Sequence, residues 1–251
     1  MLRMGTNNPA FDKNSWITAL NTSESGVCNQ GKALSYKPLP GVKHRQGRVF
    51  CVEPGPSTYK RLEEAASTLG WDGMGLTTVQ GAVSDTDGVA LFPNVQFGVE
   101  WFGLSTCSGK SKASDDCVEV PAYQLDTFTA KHVVDKSVPI DILSIDTEGS
   151  DFTVMKSGRE TIKQASYLEF EFHGTGNWKN QNLADAIEYV DELGFTCYWA
   201  GVGGLTRITE CWLDVYGSFH DWSNVACVNR NNGSLLNIME TLFQQCLDRM
   251  K

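Results

Sequence analysis

The chain has 251 residues, 41% hydrophobic and 20% charged, which supplies one sizeable core with appendages and excludes global disorder. A formal charge of -9 speaks against binding to a phosphate backbone, so no nucleic-acid partner is expected. No apolar run reaches spanning length and Met1-Leu2-Arg3-Met4-Gly5-Thr6 has no apolar leader core, so the expectation is a cytoplasmic protein without a membrane span.

Residues 1–47 are rich in Asn, Ser, Thr, Gly, Lys and Pro and read as an irregular N-terminal segment. Val49-Phe50-Cys51-Val52 is a strand apolar on both faces, stopped by Glu53-Pro54-Gly55-Pro56. Ser57 or Thr58 then caps a helix carrying Leu62, Ala65, Ala66 and Leu69, with Gly70 at its end. Thr77–Val83 is a second β-segment, and Asp87-Gly88 turns the chain into Val89–Phe92 as a hairpin. Residues 93–117 are Gly- and Ser-rich and read as an excursion or lid.

Ile140–Ile145 is the strongest strand, ending in Asp146-Thr147-Glu148-Gly149, and one helix is expected across Phe152–Ile162. Tyr167–Phe172 alternates and stops at His173-Gly174. Asn182 caps a helix with Leu183, Ala186, Ile187, Val190 and Leu193 on one face, closed by Gly194. Phe195–Trp199 and Val225–Val228 complete the strands, and 231–251 forms an amphipathic C-terminal helix. Alternation of strands and helices predicts an α/β fold, mostly parallel, with helices on both faces and antiparallel additions near the C-terminus.

The eight cysteines are scattered without a CxxC pair, which argues against a zinc ribbon; an even count could form disulfides in a secreted chain, but without a signal segment buried free thiols are the favoured reading. Asn21-Thr22-Ser23 and Asn232-Gly233-Ser234 are formal glycosylation sequons. In parallel α/β sheets ligands sit beyond the carboxyl ends of strands, which directs attention to the residues following each one. Glu53 can accept from both hydroxyls of a ribose, or simply open a turn. Asp146 and Glu148 can act as a base, hold a metal or grip hydroxyls, although Asp146 can equally cap the next helix. Proximity of the two acids is expected to raise the pKa of one of them. Glu169, Glu171 and His173 share one strand face, and only the later two reach the strand end. Trp178, Tyr198, Trp199, Trp212 and Trp222 are expected in the core.

These segments together resemble the FkbM-type methyltransferases. Val52-Glu53-Pro54-Gly55-Pro56-Ser57, Gly81–Gly88, Leu125-Asp126-Thr127-Phe128, Ile142–Phe152, Phe170-Glu171-Phe172-His173 and Gly194-Phe195 are similar to that family's motifs, in order, over about residues 48–230. The resemblance implies a Rossmann-like class I fold and methyl transfer from S-adenosylmethionine, usually to a hydroxyl of a small molecule or glycan. It implies Glu53 on the cofactor ribose, Ala82 and Val83 beside the adenine, Asp146 and Glu148 on the cofactor and acceptor side, and Glu171 or His173 opposite. It implies no metal. The family's opening strand and glycine-rich turn find no counterpart upstream of Arg48, so a catalytically impaired binding module derived from such an enzyme is the alternative. A third reading is a metal-dependent enzyme using Asp146, Glu148 and His173. Acceptor and oligomeric state are not legible.

Overall fold

A computed structural model describes residues 47–96, 103–107, 109, 116–133, 139–201, 204–220 and 223–249. The expected irregular segment, the missing glycine turn, Asn21 and Trp222 lie outside these residues. The chain falls into two compact units, one bounded by Met1–Gly81 and Asn94–Glu100, the other by Ala82–Pro93 and Trp101–Lys251.

In the first unit β1 (Val49–Glu53) and β2 (Leu76–Gln80) pair in parallel, joined through helix α1 (Pro56–Leu69). Leu62, Ala65 and Ala66 form the buried stripe of α1, and Gly70 closes it at φ 69, a left-handed conformation that glycine adopts without strain. Neither Ser57 nor Thr58 is the cap. The helix starts at Pro56, whose missing N–H suits the first turn, and Ser57 Oγ instead donates to the Val95 carbonyl at 2.7 Å.

The second unit holds two sheets. The smaller has the order β3-β5-β4, formed by β3 (Ala82–Ser84), β5 (Cys117–Gln124) and β4 (Gly88–Pro93). The β-run expected over Thr77–Val83 is therefore divided at buried Gly81, and the expected hairpin does not form: β5 lies between its two arms. The reason is the turn chemistry. Asp87 accepts from the Gln124 N–H and the Thr127 hydroxyl, and Gln124 Nε2 donates to the Asp85 carbonyl, so the turn clasps the end of β5 instead of closing on itself.

The larger sheet has the order β6-β7-β10-β8-β9, from β6 (Ile140–Ile145), β7 (Ala165–Phe172), β10 (Ser223–Asn229), β8 (Phe195–Gly201) and β9 (Gly204–Arg207). Only β6 and β7 run parallel; β7/β10, β10/β8 and β8/β9 are antiparallel. With β5 antiparallel to β4 as well, the sheets are mixed, which corrects the expectation of a mostly parallel one. Short β9, flanked by Gly201 and Gly204, carried too little apolar signal to be foreseen.

Helices cover both faces of the larger sheet. On one lie α3 (Asp151–Lys156), α4 (Arg159–Lys163) and α5 (Leu183–Glu192), packing Phe152, Met155, Ile162, Leu183, Ile187 and Val190 against Leu168, Phe170, Phe172, Phe195 and Val225. On the other, α6 (Gly233–Arg249) sets Leu235, Leu236, Met239 and Phe243 against Tyr198, Ala226 and Val228. The single helix expected over Phe152–Ile162 is broken at Ser157-Gly158. A β-carbon on Gly158 would meet the Leu125 side chain at 2.3 Å, so the break makes room for α2 (Leu125–His132). Asp126 of α2 accepts from the N–H groups of Glu160 and Thr161 and so caps α4 from a distance. Asn182 caps α5 as expected, accepting from the Ala184 N–H at 2.9 Å.

Cys107 is disulfide-bonded to Cys117, and Cys197 to Cys227, which corrects the free-thiol expectation for these four. Cys197 and Cys227 stand directly opposite each other on β8 and β10, a register that scattered sequence positions conceal. Trp178, Tyr198 and Trp199 are buried as expected; Trp212 is half-buried. Among the described residues, no helix is long and apolar enough to cross a membrane.

Candidate functional site

The parallel pairing of β6 and β7 continues through Ser144↔Glu169 and Ile145↔Phe170, so their carboxyl ends deliver Asp146–Glu148 beside Glu171–His173. This is the strand-end position at which parallel α/β units place ligands. The two loops then meet backbone to backbone. A β-carbon on Gly149 (φ 94) would lie 2.7 Å from the Thr175 carbonyl oxygen, and one on Gly176 (φ 59) would lie 2.7 Å from that of Glu148. Gly103 closes on the same peptide: its β-carbon would come within 2.9 Å of the Glu148 oxygen. Glu148 itself adopts φ 53, which costs a non-glycine residue on the order of 1–2 kcal/mol. Such strain persists only where the surroundings over-determine it, and here neighbouring main chain does so.

Asp151 holds the loop from within. It is 0% exposed, and its carboxyl accepts from the Gly149 N–H at 3.2 Å and the Thr147 N–H at 3.4 Å. Burial, reinforced by the nearby charges of Asp146 and Glu171, pushes its pKa up to about 7, with main-chain hydrogen bonds of Asp151 and Glu171 opposing. Asp151 was not singled out in the sequence; the available signal was an acid two residues after a glycine turn. The N-cap position of the next helix is Ser150, not Asp146.

Glu148, Glu171 and His173 gather at the centre, each offering one ligand atom, all within 4.8 Å of one another. Glu171 is 2% and His173 0% exposed, while Glu148 is half-exposed. His173 Nδ1 accepts the Thr175 N–H at 3.1 Å and lies 2.6 Å from the Thr175 hydroxyl. An Nδ1 that accepts from a backbone N–H has no proton of its own, so in neutral imidazole the proton sits on Nε2. Burial lowers the histidine's pKa, with the charge of Asp146 opposing, which favours this neutral form. Nε2 faces Glu171 Oε2 at 3.8 Å.

That tautomer decides what the histidine can do. With Nε2 protonated it is a donor, neither a general base nor a ready metal ligand, since a ligating imidazole normally donates through its other nitrogen. The spacing of the three ligand atoms would admit a divalent ion; the Thr175 N–H disfavours one at Nε2. Asp146, a ligand in the metal reading, stands outside that group of three and acts instead through its charge on Asp151 and His173.

The remaining expected residues divide by unit. Glu53 ends β1 in the first, with Oε1 accepting the Gly55 N–H at 2.7 Å. Burial pushes its pKa up to about 7, with the Gly55 bond opposing. It is therefore a half-buried acid and not the surface carboxylate of a simple turn. Ala82 and Val83 lie in the second unit: Ala82 is packed with Phe92 and Val120, so only its main chain remains to meet a ligand, and Val83 packs on the larger core.

Acids and a neutral histidine presented where two parallel strands end, on a sheet sheathed by helices, define an α/β protein with a polar strand-end site. Residues 36–197 match the family described as Methyltransferase FkbM domain, more than half of the chain. The chain belongs to this family and is of methyltransferase kind. No curated protein and no solved structure matches it.

Proposed function

We propose that this protein is an S-adenosylmethionine-dependent O-methyltransferase of the class I type, acting on a hydroxyl of a small molecule or glycan. The observation that carries the reading is the convergence of Glu148, Glu171 and protonated His173 Nε2 at the ends of β6 and β7. A hydroxyl needs an acceptor for its proton and a donor to hold its oxygen, and these three groups offer both. When bound, the cofactor supplies an electrophilic methyl group on a cationic sulfur.

The chain's own residues do the rest. A half-buried carboxyl whose pKa is raised by burial, such as Glu53, gains from hydroxyl donors, and a ribose diol provides two. Ala82 and Val83 offer main chain and apolar surface suited to an adenine edge. Asp146 adds negative charge on the cofactor and acceptor side. Glu148, half-exposed, reaches an incoming hydroxyl and takes its proton, while buried Glu171 and His173 orient the oxygen. Positioning on a strained, immobilised loop supplies the larger share of the acceleration.

Calorimetry with S-adenosylmethionine and turnover against an array of hydroxylated acceptors test this. Glu53→Ala is expected to weaken cofactor binding. Glu148→Gln and Glu171→Gln are expected to lower kcat by about 10²–10⁴-fold with cofactor affinity kept. No heat at millimolar cofactor would instead support the impaired binding module.

A further inference from the structure

We propose that Asn232 carries an N-linked glycan and that the chain folds in an oxidising, glycosylating compartment. Two observations, independent of methyl transfer, meet here. First, four buried cysteines form two disulfides, one joining opposed residues of β8 and β10 and the other tying the turn Leu104–Cys107 to the start of β5. Disulfides of this buried, structural kind form and persist outside reducing compartments.

Second, Asn232-Gly233-Ser234 runs from the end of the β10–α6 turn into the first residues of α6, where Asn231, Gly233 and Ser234 are exposed and Asn232 half-exposed. The geometry separates the two ends of the Asn232 amide. Its Oδ1 accepts the Leu235 N–H at 3.2 Å and so caps α6, while its backbone N–H donates to the Asn229 carbonyl at 2.9 Å. A glycan attaches through Nδ2, so the cap oxygen keeps its role after modification. The sequon and the helix cap are therefore compatible in one residue.

The chemistry balances with two co-reactants of that compartment. Asn232 Nδ2 forms a bond to the anomeric carbon of a polyisoprenyl-diphosphate-linked oligosaccharide. The carbon–oxygen bond to the diphosphate breaks, the lipid diphosphate leaves, and Nδ2 loses one proton. Each cysteine pair gives up two protons and two electrons to a disulfide-carrying thiol oxidase, which is reduced to its dithiol.

The test uses the full chain recovered from its own cells and, in parallel, from a secreting eukaryotic host. Both are treated with N-glycosidase in heavy-oxygen water and mapped by mass spectrometry over residues 231–249 and over the peptides that carry the cysteines. The expected result is heavy aspartate at position 232 and Cys197 and Cys227 that alkylate only after reduction. Peptide-level mapping keeps this site apart from Asn21. In the host, Ser234→Ala and Asn232→Asp should both abolish the modification, Ser234→Thr should keep it, and Asn232→Asp should retain the thermal midpoint because its carboxylate still caps. Unmodified Asn232 in the native protein overturns the proposal. So does alkylation before reduction at Cys107, Cys117, Cys197 or Cys227 of the native protein, or a glycan that survives Ser234→Ala.

Discussion

At the residue scale the decisive contact is the Thr175 N–H on His173 Nδ1. Long-range proton–nitrogen spectra should find the imidazole proton on Nε2 across neutral pH, and a proton on Nδ1 would return the metal reading to contention. His173→Gln, whose amide reaches as far as Nε2, should keep more activity than His173→Asn, which mimics the other nitrogen. Asp151 leads to a second expectation. Its folded pKa, near 7, stands well above the roughly 3.9 of an unfolded aspartate, so between these values the folded chain holds a proton that the unfolded chain has released. Stability from this group is full below about pH 4 and is lost as pH rises through 7; Glu53 contributes with the same sign. Thermal midpoints measured from pH 5 to 8 should fall, and less steeply in Asp151→Asn. The meeting of Glu148, Glu171 and His173 was legible because strand ends are; the position of Asp151 was not, because it depends on which N–H groups surround it.

At the element scale the site rests on glycines that let main chains touch. Gly149→Ala and Gly176→Ala each combine a positive φ with a backbone overlap near 2.7 Å, and each should cost at least about 2 kcal/mol in urea unfolding. Elements with local signals could be read directly: the apolar run of β6, the Asn182 cap, the Gly70 stop. Those set by distant partners could not. The β3/β4 turn looked like a hairpin because Asp87-Gly88 is a turn signal, yet the Asp87 carboxylate serves Gln124 and Thr127 more than thirty residues away. Gly158 likewise broke a helix on behalf of Leu125.

At the scale of the whole molecule, alternation of strand and helix correctly indicated an α/β protein, and the family motifs indicated methyltransferase kind. The direction of β8, β9 and β10 was hidden, since an apolar strand reads the same in either orientation. The disulfides were hidden too, since pairing follows from register. Cys197–Cys227 closes a separation of 30 residues, for which chain entropy gives about 3–4 kcal/mol. The Cys197→Ala/Cys227→Ala double variant should lose about that much in denaturant unfolding, and a loss well below 1 kcal/mol would show that the bridge contributes little.

The peptide of Glu148 lies so close to the main chains of Gly103 and Gly176 that a β-carbon on either glycine would overlap its oxygen. On the proposed function, the acceptor must fit that backbone as it stands. Acceptor analogues that invert the stereochemistry at the reacting hydroxyl should therefore be refused sharply, while changes several bonds away are tolerated.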